Sequence, residues 1–303
     1  MTDPVVILAG GTGGAKLARG MLDVVGPDEL VVIANTADDI EIYGAYVSPD
    51  PDLITFWLAD RIDERGWGLR DDTFQVMDGL RELGVDVWFN LGDRDLAIGI
   101  ERTRALDGGG RLTDAQATIG AALGVGARVL PMSDGPVRTR VFTGEQWWPI
   151  QEFLIRRRGQ GPVVDLDFRH RRTAAPTPEV LAALAGARAI VIGPSNPLIS
   201  IGPILGLNGV SEAIRDSPAP VVAVSPLVRG AVLKGPTAGF MEWAGRPLTS
   251  AGVAGCYEGL LDGLVADERT DAVPVLQIDV LMDTAETRQE LARRALEFAL
   301  ALT

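Results

Sequence analysis

The stretch VILAGGTGGAKLARG, from Val6 to Gly20, sets Gly10, Gly11, Thr12, Gly13, Gly14 and Lys16 between a strand and a helix. Glycines at such a junction let the backbone turn tightly and approach a ligand without Cβ interference. The helix that follows offers free N–H groups and a positive dipole end to an anion. Lys16 would stand in the first helical turn, where a cation is unfavourable unless an anion compensates it. The loop reads as a phosphate cradle, against the plainer alternative of a turn that only packs helix on strand. It fits neither common template. A dinucleotide fingerprint starting at Gly11 needs glycine or alanine at Lys16 and an acid near the end of the second strand, where Asn35 and Thr36 stand. A P-loop needs Ser or Thr at Leu17. An NAD-dependent dehydrogenase is disfavoured on the same grounds.

The second strand runs into NTADDIEIYGAYVSPDPDLITFWLAD, which crowds Asp38, Asp39, Asp50 and Asp52 beside the glycine loop. Four unpaired carboxylates next to a phosphate call for a divalent cation between them, and Mg²⁺ is the expected ion. Singly, these aspartates can equally form turns or cap helices, Asp52 capping one that starts at Leu53. A third loop adds Asp93, Arg94 and Asp95, where Arg94 can clamp a phosphate or pair with its neighbours. Further on, GPSNP presents Ser195 and Asn196. Asn196 suits a base edge, a phosphate or an Asx-turn. SPLVRGAVLKG presents Ser225, Arg229 and Lys234, cations suited to a pyrophosphate. Phosphoryl-type transfer needs mainly positioning and charge neutralisation, with a carboxylate, Asp39 or Asp52, to take the proton of an attacking hydroxyl. Trp57, Trp67 and Phe74 can pack a flat ring or simply fill the core.

Other chemistries are excluded by what is scarce. His170 is the one histidine and Cys256 the one cysteine, so Ser-His-Asp and histidine-rich metal sites are disfavoured, as is an internal disulfide. Cys256 reads as a small buried apolar residue. A net charge of −13 argues against binding nucleic acid or an anionic membrane, and Arg156, Arg157 and Arg158 form only a local basic run. No apolar stretch approaches the roughly 20 residues needed to cross a bilayer. A soluble, cytoplasmic protein is expected.

These loops need a scaffold. Apolar runs of strand length alternate with helical periods, the mark of a Rossmann-like α/β domain with a mostly parallel sheet and helices on both faces. Strands are expected at Val5–Leu8, Leu30–Ala34, Val85–Phe89, Ala127–Leu130, Ala189–Ile192, Val221–Val224 and Val275–Ile278. Helices are expected at Ala15–Val25, Asp72–Leu83, Thr113–Leu123, Pro178–Leu184, Ser211–Arg215, Ala251–Leu261 and Ala285–Leu302, the last capped by Asp283 or Thr284. Between about Ser133 and Thr177 the alternation lapses, which marks an inserted mixed α+β excursion in a single domain of residues 1–303. In such sheets ligands bind beyond the carboxyl ends of the strands, where the distinctive loops lie.

In order along nearly the whole chain, VILAGGTGGAKLARG, NTADD, SPDPD, RGWGLRDDTF, LGDRDLA, GPSNPLISIGPIL and SPLVRGAVLKGP resemble the 2-phospho-L-lactate transferase family of coenzyme F420 biosynthesis. The resemblance implies transfer of a phospholactyl or phosphoenolpyruvyl group from a guanosine diphosphate conjugate to the deazaflavin Fo, with GMP leaving, Mg²⁺ as cofactor and a homodimer. It implies that the glycine loop, Ser195, Asn196 and the Ser225 to Lys234 segment hold the guanosine diphosphate part. Asp52 and Arg94 would lie at the deazaflavin, and Asp38 and Asp39 would serve the metal. The family often has Gly where Ala37 stands and Leu or Ile where Pro51 stands. The alternative is a non-catalytic nucleotide-sugar or dinucleotide sensor of the gluconeogenesis-factor type, whose glycine loop is similar. Nothing in the sequence selects among phospholactate, phosphoenolpyruvate and 3-phosphoglycerate.

Overall fold

Runs of Val, Ile, Leu and Ala with no polar face can be buried only where both faces of a strand are covered, as in a parallel sheet between helical layers. A computed structural model, which describes residues 3–302, has such a sheet. Its seven strands are β1 (Val5–Ala9), β2 (Leu30–Ala34), β3 (Arg128–Pro131), β4 (Ala189–Ile192), β5 (Val221–Val224), β6 (Gly263–Ala266) and β7 (Val275–Gln277). The order across the sheet is β7-β6-β5-β4-β1-β2-β3, and every pairing is parallel. Side chains alternate between the two faces. Val5, Ile7 and Ala9 pack in one core with the helices Gly11–Val25 and Ala285–Leu300, while Val6 and Leu8 pack in the other with the helices Pro178–Ala185 and Val210–Asp216.

The expected fold class holds, and the sheet is wholly parallel. Two strand assignments change. Among the described residues Val85–Phe89 pairs with no strand; Trp88 and Phe89 stack on each other, and the place beside β2 belongs to β3. The unforeseen strand is β6, which follows a short helix, Ser250–Gly255, where a longer one over Ala251–Leu261 was expected. The loop of Asp93 and Arg94 turns out to open a helix, Asp93–Asp107. The helix after β1 starts at Gly11, so the glycines form its first turn. Thr284 caps the helix Ala285–Leu300, its hydroxyl accepting the Thr287 N–H.

In the excursion, the strands Trp147–Pro149, Arg138–Phe142 and Asp165–Arg169 form an antiparallel sheet beside a short helix, Ile150–Ile155. Its Val141, Ile150 and Phe153 pack against Ile199 and Phe240. A bond from the Thr139 N–H to the Ala37 carbonyl (2.8 Å) ties it to the loop after β2. Among the described residues no single helix is long and apolar enough to cross a membrane.

Candidate active site

The strand order reverses between β1 and β4, and their carboxyl ends open the crevice where α/β sheets take ligands. Gly10 leaves β1 in extended form and Gly11 turns with φ 61°, a left-handed value that glycine adopts without strain. The helix then runs against the turn after β4 so closely that a Cβ on Gly13 would overlap the Pro194 carbonyl oxygen. The Gly10 N–H donates to Ser195 Oγ (3.1 Å), and the Gly11 N–H donates to Asp50 Oδ1 (2.7 Å). Asn35 Nδ2 donates to the other Asp50 oxygen (2.9 Å). An anion does sit at this helix start, and it is the protein's own carboxylate. Asn35 stands where a dinucleotide site would keep its acid.

The four loop aspartates are all buried, and they divide by partner. Among the described residues Asp38 Oδ1 has no hydrogen-bond partner. Burial, and then the neighbouring Asp50 charge, pushes the Asp38 carboxyl well above its ordinary range. Burial raises Asp50 to about 6, against the pull of its bonds from Asn35 and Gly11. Burial likewise raises Asp39 to about 7, with Arg138, Ser48 and Tyr46 favouring its charged form. Asp39 accepts from Ser48 Oγ (2.8 Å) and Tyr46 Oη (2.9 Å). Asp52 sits in the first turn of the helix Pro49–Leu58, which begins at Pro49 and not at Leu53. Both its oxygens are taken by Arg102, which is 0% exposed and also donates to the Tyr46 carbonyl (3.1 Å) and Gln116 Oε1 (3.3 Å).

Among the described residues no three His, Cys, Asp or Glu side chains gather around one point as a protein-only cation cage would require. The expected four-carboxylate set is therefore not assembled. What fits a hard cation is the pair of Asp38, with its orphaned oxygen, and Asp50 beside it. Mg²⁺ is commonly held by one or two carboxylates completed by substrate phosphates and water.

Two cations meet over the Trp57 ring. Lys16 Nζ donates to the Met282 carbonyl (2.9 Å) and lies 5.8 Å from the Trp57 ring centre. Arg288, from the helix Ala285–Leu300, lies over the same ring at 5.1 Å. Burial, then the charges of Arg288 and Lys234, lowers the Lys16 pKa. Such mutual repulsion marks a place where an anion would be stabilised.

Several expected ligand residues are instead occupied within the fold. Asn196 Oδ1 accepts from the N–H groups of Leu198 (2.9 Å) and Ile199 (3.2 Å), the Asx-turn role. Ser225 Oγ accepts the Leu227 N–H (3.2 Å). The Arg229 N–H donates to Asp267, while its side chain reaches solvent near Asp279 (3.8 Å). Arg94 is exposed, and its N–H donates to Asp72 Oδ1 (2.9 Å). Its neighbour Asp95 is raised to about 7 by burial and by the charges of Asp52 and Asp72. His170 is exposed in a turn, and Cys256 is half-buried against Met241. A cavity of about 450 Å³ borders Tyr46 and is lined by Glu41, Tyr43 and Thr103, with none of the four aspartates.

The sequence reading missed Arg102, Arg138, Tyr46 and Arg288. Arg138, on the excursion, lies over the Tyr46 ring (5.5 Å) and donates to its hydroxyl (3.3 Å), so the excursion helps to hold Asp39. The only sequence signal was arithmetical: buried acids require buried bases.

The reversal of strand order, the glycine-led helix and the polar crevice place the chain among Rossmann-like α/β proteins. Two crystal structures from Bacillus halodurans share this fold. One superposes with a TM-score of 0.60 at 16% identity, covering 96% of this chain and 91% of that one. The other, a member of the upf0052 family, gives 0.58 at 17%, covering 98% and 90%. The family model for 2-phospho-L-lactate transferase CofD matches residues 5–297, and the chain belongs to that family of transferases. It is 38% identical to the 2-phospho-L-lactate transferase of Methanosarcina mazei, over 95% of this chain and 98% of that one. It is also 38% identical to the phosphoenolpyruvate transferase of Kitasatospora aureofaciens, over 97% of both.

Proposed function

We propose that this transferase moves a phospholactyl or phosphoenolpyruvyl group from a guanosine diphosphate conjugate to the deazaflavin Fo, releasing GMP. The observation that carries the reading is the unpartnered Asp38 oxygen beside Asp50, whose carboxylate is held at the start of the glycine-led helix that also carries Lys16. A buried carboxylate oxygen left without a partner is costly unless a ligand completes it.

In this reading the terminal hydroxyl oxygen of Fo bonds to the phosphorus that bears the three-carbon acid. The bond from that phosphorus to the bridging oxygen breaks, and the electron pair leaves with GMP. Asp39, raised to about 7, is suited to take the hydroxyl proton near neutral pH. Asp52, bound on both oxygens by Arg102, is less suited. Lys16 and Arg288 neutralise the diphosphate, and the first turn of the glycine helix contributes N–H groups. Mg²⁺ at Asp38 and Asp50 would add charge neutralisation of the phosphates.

With Mg²⁺, the guanylated donor and Fo, the purified protein is expected to release GMP only while Fo is present. Equal release without Fo means a hydrolase. Tight nucleotide binding that EDTA does not alter, with no turnover, means a sensor. Offering phospholactyl, phosphoenolpyruvyl and phosphoglyceryl donors to one preparation, followed by mass spectrometry, identifies the acid.

Lys16→Met is expected to weaken GDP binding about ten- to a hundredfold, the worth of one charge-assisted bond. Calorimetry that finds unchanged affinity would remove Lys16 from the diphosphate site.

A further inference from the structure

Of the six tryptophans, only Trp67 is exposed, at 55%. It stands on a tight turn whose base is closed by Ile62 and Leu69, paired across it in antiparallel fashion. Within the turn the Asp63 N–H donates to the Gly68 carbonyl (3.0 Å), and the Asp63 carboxylate accepts from Arg65 Nε (2.6 Å). The turn is therefore built, and it spends that order on holding out a large apolar ring.

The ring's surroundings say what it waits for. A Cβ on Gly66 would reach Thr12 Cγ2 at 3.9 Å, so the turn overhangs the first turn of the glycine helix. Lys234 Nζ, from the opposite side of the crevice, lies 5.3 Å from the ring centre. Lys234 also stands close enough to Lys16 to lower its pKa. An exposed ring, two lysines and a glycine-led helix start thus share one mouth. The other two aromatic candidates differ: Trp57 is buried between Lys16 and Arg288, and Phe74 packs on a small core with Met77 and Leu96.

We propose that Trp67 is the stacking platform for the fused heteroaromatic ring of a substrate, with Lys234 beside it for that substrate's phosphate. The proposal rests on the transferase reading, in which two ligands carry such a ring: the guanine of the donor and the deazaflavin. Ring-on-ring stacking tolerates either, because each presents a π-face.

The test is calorimetric titration of wild type, Trp67→Ala and Trp67→Phe with GDP and, separately, with Fo. Trp67→Ala is expected to weaken one of the two ligands about tenfold or more, and Trp67→Phe to recover most of the loss. The quenching of tryptophan emission that this ligand causes in wild type falls in Trp67→Phe, the other five tryptophans being retained. In turnover, the matching KM rises while kcat stays near wild type. The GDP arm assigns the platform to guanine and the Fo arm to the deazaflavin. Unchanged affinities in both arms, with wild type binding normally, overturn the platform and leave the transferase reading intact. A wild type that binds neither ligand overturns both. Because the ring is largely exposed, an unchanged melting temperature is expected for both variants.

Discussion

Asp38→Asn is expected to melt at least about 2 °C higher than wild type at pH 8 and to lose about a hundredfold or more of the proposed GMP release. The two effects share one cause. The folded state holds the Asp38 proton well above the ordinary carboxylate range, through burial and the Asp50 charge. An unfolded chain gives that proton up near pH 4. Between those limits the native state binds more protons than the unfolded one, so this group's contribution to stability falls as pH rises. Asp39, raised to about 7, loses stability in the same direction between about pH 4 and pH 7. Asparagine keeps the shape of Asp38 and has no ionised form. The variant and wild type should therefore converge in melting temperature toward pH 4 and diverge toward pH 8, measured by calorimetry in EDTA. A variant that melts lower than wild type at pH 8 would show that the Asp38 charge is compensated within the fold, and the ligand argument would fall with it.

Asp52→Ala is expected to cost about 3–5 kcal/mol in urea unfolding, because it strands the Arg102 guanidinium in the interior. Arg102 is 0% exposed and has Gln116 and the Tyr46 carbonyl as its remaining partners. Replacing both charges, as Asp52→Leu with Arg102→Met, should recover most of the loss, since a buried pair exchanged for apolar side chains is often neutral in stability. Activity then separates two roles. A double variant that regains stability and GMP release assigns Asp52 to the scaffold; one that regains stability alone keeps it in the reaction. A single variant as stable as wild type would contradict the buried pair itself.

The parts of this site that are local in sequence were legible, and the parts that depend on distant partners were not. Glycine spacing announces the turn after β1 because backbone permissiveness is a property of the residue. Six of the seven sheet strands show as apolar runs for a similar reason. VDVWF at 85–89 has the same composition as a strand, but pairing depends on an open neighbour in the sheet, and β3 holds the place beside β2. GLVA at 263–266 hid behind the helical pattern of the preceding segment. The aspartates carry the sharper lesson. Asp38 and Asp52 look alike in sequence, yet among the described residues one has an oxygen without a partner and the other is doubly bound by Arg102, a residue no local pattern singled out.

The register of β1 has a consequence for how the chain comes to be folded. β1 is buried along its whole length, between β2, which follows soon in sequence, and β4, where Val5 faces Ala189. During synthesis at about 5–20 residues per second, VVILA therefore waits about 8–30 s with one edge unpaired after its first neighbour has emerged. Such distant pairing slows folding and leaves an apolar edge open to other nascent chains. The strand that carries the glycine turn is thus the one whose second neighbour emerges late.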